Sequence, residues 1–211
     1  MDLMPDISSR PFWVEAILTI GIAIVAYVSG KMKEKRNRAV KLKQNAEINW
    51  EVHSQIHEFL TELRVKTHAA RAQIVQFHNG EYFIDGFSMY KLSTTHESLK
   101  NGLSTNEKKL LLVTMFSALM EKLERNEPHL YKTPEEKPSY FKNTLDLGSV
   151  DYFMTLPLFY GGAKSGFIIL EWCGETDSQY AVDNAGVIKI ELLHTRNIVQ
   201  TKLSQQIKDL K

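Results

Sequence analysis

The chain has 211 residues, with 26 Lys and Arg against 25 Asp and Glu, and one cysteine, Cys173, which excludes an internal disulfide framework, a cysteine-rich zinc site and any thiol mechanism with a resolving partner in the same chain. Residues 31–43 carry Lys31, Lys33, Lys35, Arg36, Arg38, Lys41 and Lys43 against Glu34, a net of +6, so the rest of the chain is acidic on balance. A folded part without basic excess excludes bulk nucleic-acid binding, and an ordinary globular composition excludes broad disorder.

The first element is an apolar run from Pro11 to Gly30, uncharged between Ala16 and Val28. With Phe12, Trp13 and Val14 it approaches the roughly 20 residues needed to span a bilayer. Trp13 and Tyr27 sit where interfacial aromatics sit. The residues before it are acidic and no small-x-small site follows, so a cleaved signal peptide fits poorly. The expected arrangement is an N-terminal segment (1–30) crossing the cell (inner) membrane once. The Lys- and Arg-rich flank places the N-terminus outside and the remainder in the cytoplasm. The lipid bilayer is thus the first expected partner, and the basic flank would be drawn to anionic headgroups.

From Lys31 to Ala72 there is no Gly and no Pro. Apolar residues recur at Ile48, Val52, Ile56, Phe59, Leu63 and Ala70, mostly in steps of three and four, which predicts a connecting helix (31–72) with one apolar stripe. Two such helices held side by side would form a coiled-coil homodimer, and Ala26-x-x-x-Gly30 is a spacing that supports helix pairing. His53 and His57 lie four apart, a metal-compatible spacing, but no other ligand is near in sequence and a solvated face is expected.

After the helix the period becomes strand-like. Ala72–Phe77 predicts a strand ending in a turn at His78-Asn79-Gly80. Residues 87–96 predict a second strand. Asn106–Arg125 predicts a helix, and residues 126–150 a long loop with at most a short strand or helical turn. Asp151–Tyr160 and Ser165–Trp172 are apolar strands flanking Gly161-Gly162-Ala163-Lys164, a tight hairpin at the sheet centre. Asp177–Leu210 predicts one long C-terminal helix capped by Asp177 or Ser178. The sum is an α+β plan: an antiparallel sheet with helices on one face.

Residues 71–80 (RAQIVQFHNG) and the hairpin MTLPLFYGGAKSGFIILEW resemble a GAF domain, and the resemblance covers residues 50–205, leaving 206–211 as a tail. The Phe-His-Asn-Gly form is similar to a subgroup from bacteria and their viruses. The resemblance implies a small-molecule-sensing or dimerisation module. The cyclic-nucleotide motif of some members, Asn-Lys-Phe-Asp-Glu, is missing.

The candidate ligand-binding residues are His78, Asn79, Glu81, Tyr82 and Phe83 beyond the first strand, and His96 and Glu97 at the end of the second. Asn79 also suits the turn, because Asn tolerates left-handed backbone. His96 beside Glu97 has acid–base composition, but neighbours on a strand point to opposite faces and do not converge on one atom. Cys173 reads as a packed thiol. No catalytic constellation, metal set or cofactor motif is apparent. The expected function is a non-enzymatic, membrane-tethered module that binds a small molecule or a protein and dimerises through its connecting and C-terminal helices. The alternative is a scaffold or assembly factor without a small-molecule ligand.

Overall fold

A computed structural model describes the backbone of residues 12–82 and 88–208. Within these, the side chains of residues 12, 13, 15, 16, 18, 19, 38–49, 79–82, 88, 89 and 205–208 lie outside the described residues. The chain divides into two units, residues 1–48 and 49–211.

The first unit is helical from Phe12, the start of α1 (Phe12–Lys66). Ile17, Ile20, Ile22, Ile24, Val25 and Val28 are all exposed there. Among the described residues no helix is long and apolar enough to cross a membrane. Phe12, Trp13, Glu15, Ala16, Leu18 and Thr19, which belong to the predicted span, have side chains outside the described residues.

The second unit is built on a six-stranded antiparallel sheet. In chain order its strands are β1 (Arg71–Tyr82), β2 (Ser88–Leu99), β3 (Leu111–Leu112), β4 (His129–Lys132), β5 (Tyr152–Tyr160) and β6 (Ala163–Trp172). In space they run β3-β2-β1-β6-β5-β4. The expected hairpin is central, and its turn is tighter than predicted. Gly161 and Gly162, at φ 58° and 84°, close it alone, because both positions need the left-handed backbone that glycine adopts without strain.

Each face of the sheet carries its own core, which corrects the expectation of helices on one face only. On the first face, Ile56, Leu60 and Leu63 of α1 pack with Ala72, Ile74, Met154, Leu156, Ile168, Leu170 and Trp172. Ile188, Leu192 and Val199 of a C-terminal helix complete this layer. On the second face, Phe116, Leu119, Leu123, Phe141 and Leu145 cover Val75, Leu92, Phe153, Phe167 and Ile169. Strands β5 and β6 alternate between the two layers with no polar face to spare, hence their continuous apolar sequence.

The covering segment differs from its predicted form. The run 106–125 holds β3, a 3-10 turn and a short helix α2 (Ser117–Leu123) rather than one long helix. Leu110, at φ 53°, breaks the pattern before any helix starts. The supposed loop 126–150 contains both β4 and α3 (Tyr140–Leu147), which Ser139 caps by accepting from the Lys142 amide at 3.1 Å.

The C-terminal helix is two helices, α4 (Glu175–Asp183) and α5 (Ala185–Lys208), broken at Asn184. Neither Asp177 nor Ser178 is its cap: α4 begins after Gly174. Asp151 serves that end from across the fold, accepting from Gly174 N at 2.7 Å and Ser178 Oγ at 3.0 Å. The connecting helix ends at Lys66, not Ala72, since His68 takes φ 53° and β1 begins at Arg71.

Candidate functional site

Strand periodicity decides which side chains meet on the second face. Along β1, Ala72 and Ile74 join the first core, while Arg71, Gln73 and Val75 point the other way. Along β6, Ile168, Leu170 and Trp172 join the first core, so Glu171 faces the second. Arg71 pairs with Glu171 across adjacent strands. Both are taken from water, Arg71 at 2% exposure and Glu171 at 0%.

These two residues anchor a buried polar network. Arg71 Nη1 lies 3.2 Å from Glu171 Oε2, and donates also to the Gly148 carbonyl at 3.0 Å and toward Cys173 Sγ at 3.4 Å. Arg71 Nε donates to the Ser104 carbonyl at 3.1 Å. Asn106 Nδ2 donates to Glu171 Oε1 at 3.3 Å. Lys108 Nζ lies 3.9 Å from Glu171 Oε1 and donates to Gln73 Oε1 at 2.9 Å. Gln73 Nε2 in turn donates to Glu97, which also accepts from Thr105.

Charge and burial compete in this network. Burial pulls the Lys108 ammonium down from its usual range, against the opposing pull of Glu171 and Glu97. Burial pushes the Cys173 thiol up, with Arg71 opposing, which makes it a poor nucleophile near neutral pH.

Beyond this polar end the face is aromatic. Phe153 stacks on Tyr131 with centroids 5.1 Å apart and meets Phe141 edge-on at 5.3 Å. Lys122 places its ammonium 4.1 Å over the Tyr131 ring and pairs with Glu136 at 2.9 Å. Tyr131 Oη and Thr133 Oγ1 are the buried side-chain polar atoms without a hydrogen-bond partner among the described residues. A surface cleft of about 440 Å³, lined by Lys132, Asp151, Tyr152, Glu175 and Gln179, opens beside Thr133 at the sheet edge.

The residues singled out from sequence do not form one site. His78 lies within β1, half-buried, with Nε2 3.0 Å from Ser93 Oγ. The Asn79-Gly80 pair is not a turn, because β1 runs on to Tyr82 and Asn79 pairs with Tyr90. The irregularity appears instead as a shift of register between Asn79 and Tyr82. The side chains of Asn79, Glu81 and Tyr82, and all of Phe83, lie outside the described residues.

His96 and Glu97 do diverge, and a bulge is what aims them. The pairing of β1 with β2 slips between Ile74–His96 and Val75–Thr94, leaving Thr95 as the extra residue. Leu92 and Thr94 face the second layer; past the bulge Glu97 does, and His96 turns toward α1. There His96 Nε2 lies 2.8 Å from His53 Nδ1, with the rings stacked at 4.9 Å. His53 is therefore not on a solvated face, contrary to its sequence reading. Burial, then the charges of His53 and His57, lower the His96 pKa to about 4.

The sequence pattern does not single out Arg71, Gln73, Asn106, Lys108 or Glu171. The visible signal is a charged or amide residue at alternate positions of otherwise apolar strands, at Arg71 and Gln73 and again at Glu171. Among the described residues, no group of three His, Cys, Asp or Glu is arranged to hold a metal ion.

No protein-family model matches the chain, and no curated protein does. Solved structures share its fold. The blue-light-absorbing form of the PixJ GAF domain from Thermosynechococcus elongatus aligns with a TM-score of 0.50 at 12% identity, over 77% of this chain and 94% of that one. A structure of the cyanobacteriochrome receptor PixJ aligns with a TM-score of 0.50 at 10% identity, over 72% and 97%. At such identities the likeness is one of fold: the folded unit is a GAF-like α+β domain.

Proposed function

We propose that the chain is a membrane-tethered, non-enzymatic GAF-like module that binds a small molecule or a protein partner on the cytoplasmic side of the cell membrane. The observation that carries the tether is the outward face of α1 near its start. Ile17, Ile20, Ile22, Ile24, Val25 and Val28 are 49–65% exposed, and Ala23 and Ala26 fill the sides between them. A helix apolar all round is stable only in apolar surroundings, and each such side chain gains on the order of 1 kcal/mol or more on leaving water. The exposed Lys31, Lys33, Lys35 and Arg36 that follow favour the cytoplasmic orientation.

The test is carbonate extraction of membranes from cells expressing the full chain. Wild type should stay in the pellet, and Ile22→Lys with Val25→Lys should move it to the supernatant. Extraction of the wild type by carbonate would remove the tether.

Binding by the folded unit is supported by its GAF-like fold and by the orphaned hydroxyls of Tyr131 and Thr133, in and just after the edge strand β4. The scaffold reading, without a small-molecule ligand, is favoured by the saturation of the Arg71–Glu171 network. A thermal-shift screen against a metabolite panel, repeated with Tyr131→Phe, separates the two. A shift lost in the variant supports ligand binding, and no shift with any compound supports the scaffold.

A homodimer through α1 and α5 is part of the same proposal. Trp50, Val65, Val187 and Ile190 are exposed apolar residues on those helices. Chemical cross-linking in membranes tests it, with Val187→Glu and Ile190→Glu expected to abolish the dimer band.

A further inference from the structure

Three polar contacts hold α1 against β2. Thr61 Oγ1 and Arg64 Nε donate to Ser98 Oγ, each at 3.0 Å, and one strand pitch away His53 meets His96. One pair of tautomers satisfies all the surrounding hydrogen bonds together. Thr95 Oγ1 donates to the Ile74 carbonyl at 3.3 Å, so its oxygen accepts from His96 Nδ1, 3.1 Å away. His96 then carries its proton on Nδ1 and offers a lone pair on Nε2. In that arrangement His53 supplies the proton between the rings, across the 2.8 Å from Nδ1 to His96 Nε2.

The two histidines are therefore not equivalent toward acid. A proton added to His53 enters at Nε2, away from the contact, and leaves the donor in place. A proton added to His96 enters at Nε2 and destroys the acceptor. Two N–H groups then face each other across 2.8 Å.

We propose that the His53–His96 contact is a proton-operated latch, in which protonation of His96 releases this end of α1 from β2. The groups around His96 favour opening once it is charged. From α1 come His53 and His57, with Arg64 at Ser98; from β1 comes Ile74, its backbone partner; from β2 come Thr95 and Ser98. No carboxylate stands among these partners, and Glu97 points to the opposite face of the sheet. The opened ring is solvated and takes up its proton near pH 6.5, whereas the closed ring resists down to about 4. Opening thus becomes favoured as pH falls through that window. The latch is independent of what the second face of the sheet binds.

Hydrogen-exchange mass spectrometry on the full chain in detergent tests it, with rates corrected for intrinsic exchange and compared at pH 7.5, 6.0 and 4.5. Protection of residues 50–57 should fall at least ten-fold between the extremes while β5 and β6 keep theirs. His96→Gln preserves an acceptor that does not titrate, so the step should vanish. His53→Gln gives a carbonyl that accepts from charged His96 and removes one opposing charge, while burial still resists the proton, so the step should shrink there and shift to lower pH, which keeps the test open if one variant folds poorly. A step that persists in His96→Gln, or is undiminished in His53→Gln, overturns the proposal. So does its absence in wild type, or a parallel loss of protection in β5 and β6.

Discussion

Glu171 and Arg71 face each other across β6 and β1, and a 3.2 Å ion pair joins them with neither side chain exposed beyond 3%. A pair so placed is weak as a source of stability but costly to break, since removing one partner strands a charge out of water. Glu171→Gln should therefore destabilise the domain by about 3–5 kcal/mol, read from the chemical-denaturation midpoint. Arg71→Met combined with Glu171→Met should recover part of that loss, but not all, because the Ser104 and Gly148 carbonyls still lose their donor.

Gly166 is predicted to tolerate no side chain. A Cβ there would stand 2.2 Å from the Val75 carbonyl oxygen and 3.0 Å from Gln76 Cα, both backbone atoms of the paired strand. Gly166→Ala must push β1 and β6 apart, at a cost of about 2–3 kcal/mol, visible as a lower melting temperature.

Acid should weaken the contact between α1 and β2 through His96. Its folded pKa of about 4 lies below the ordinary 6.5, so the unfolded chain binds the extra proton first as pH falls. The hold of His96 on α1 is complete above pH 6.5 and is lost progressively down to pH 4, and because the freed ring takes its proton without the sheet unfolding, the loss falls on that contact. Amide NMR signals of residues 50–57 should shift or broaden between pH 7 and pH 4.5 while those of β5 and β6 do not, and His96→Gln should reduce the change.

The α3 cap gives a smaller and local effect. Ser139→Ala removes the acceptor for the Lys142 amide and should cost about 1 kcal/mol. Exchange of the first amides of α3 should accelerate while β5 and β6 are unaffected.

The parts of this fold written in local pattern were legible from sequence. The β5–β6 hairpin is announced by two apolar runs around Gly161-Gly162, and α1 by its three- and four-residue steps. The parts decided by distant partners were not. Asn79-Gly80 has the composition of a turn, yet pairing with β2 carries the strand past it. The run 106–125 has helical composition but gives up its first turns to place Asn106 and Lys108 in the buried network. His53 looked solvated because its partner lies 43 residues away and reaches it only through the bulge at Thr95. Of the seven candidate site residues, Glu97 enters the polar network and His96 faces α1; neither placement follows from neighbours in sequence.

The Arg71 guanidinium binds carbonyls 33 and 77 residues downstream, as well as a carboxylate 100 residues away. Such long closures are entropically expensive and form late, after local elements exist. They also discriminate between alignments. If β1 slipped by one residue against β6, Arg71 and Gln73 would swing into the layer of Ile56, Leu60 and Trp172, and Ala72 would face Glu171. The ion pair thus proofreads strand register: it rejects the misaligned sheet more strongly than it rewards the correct one.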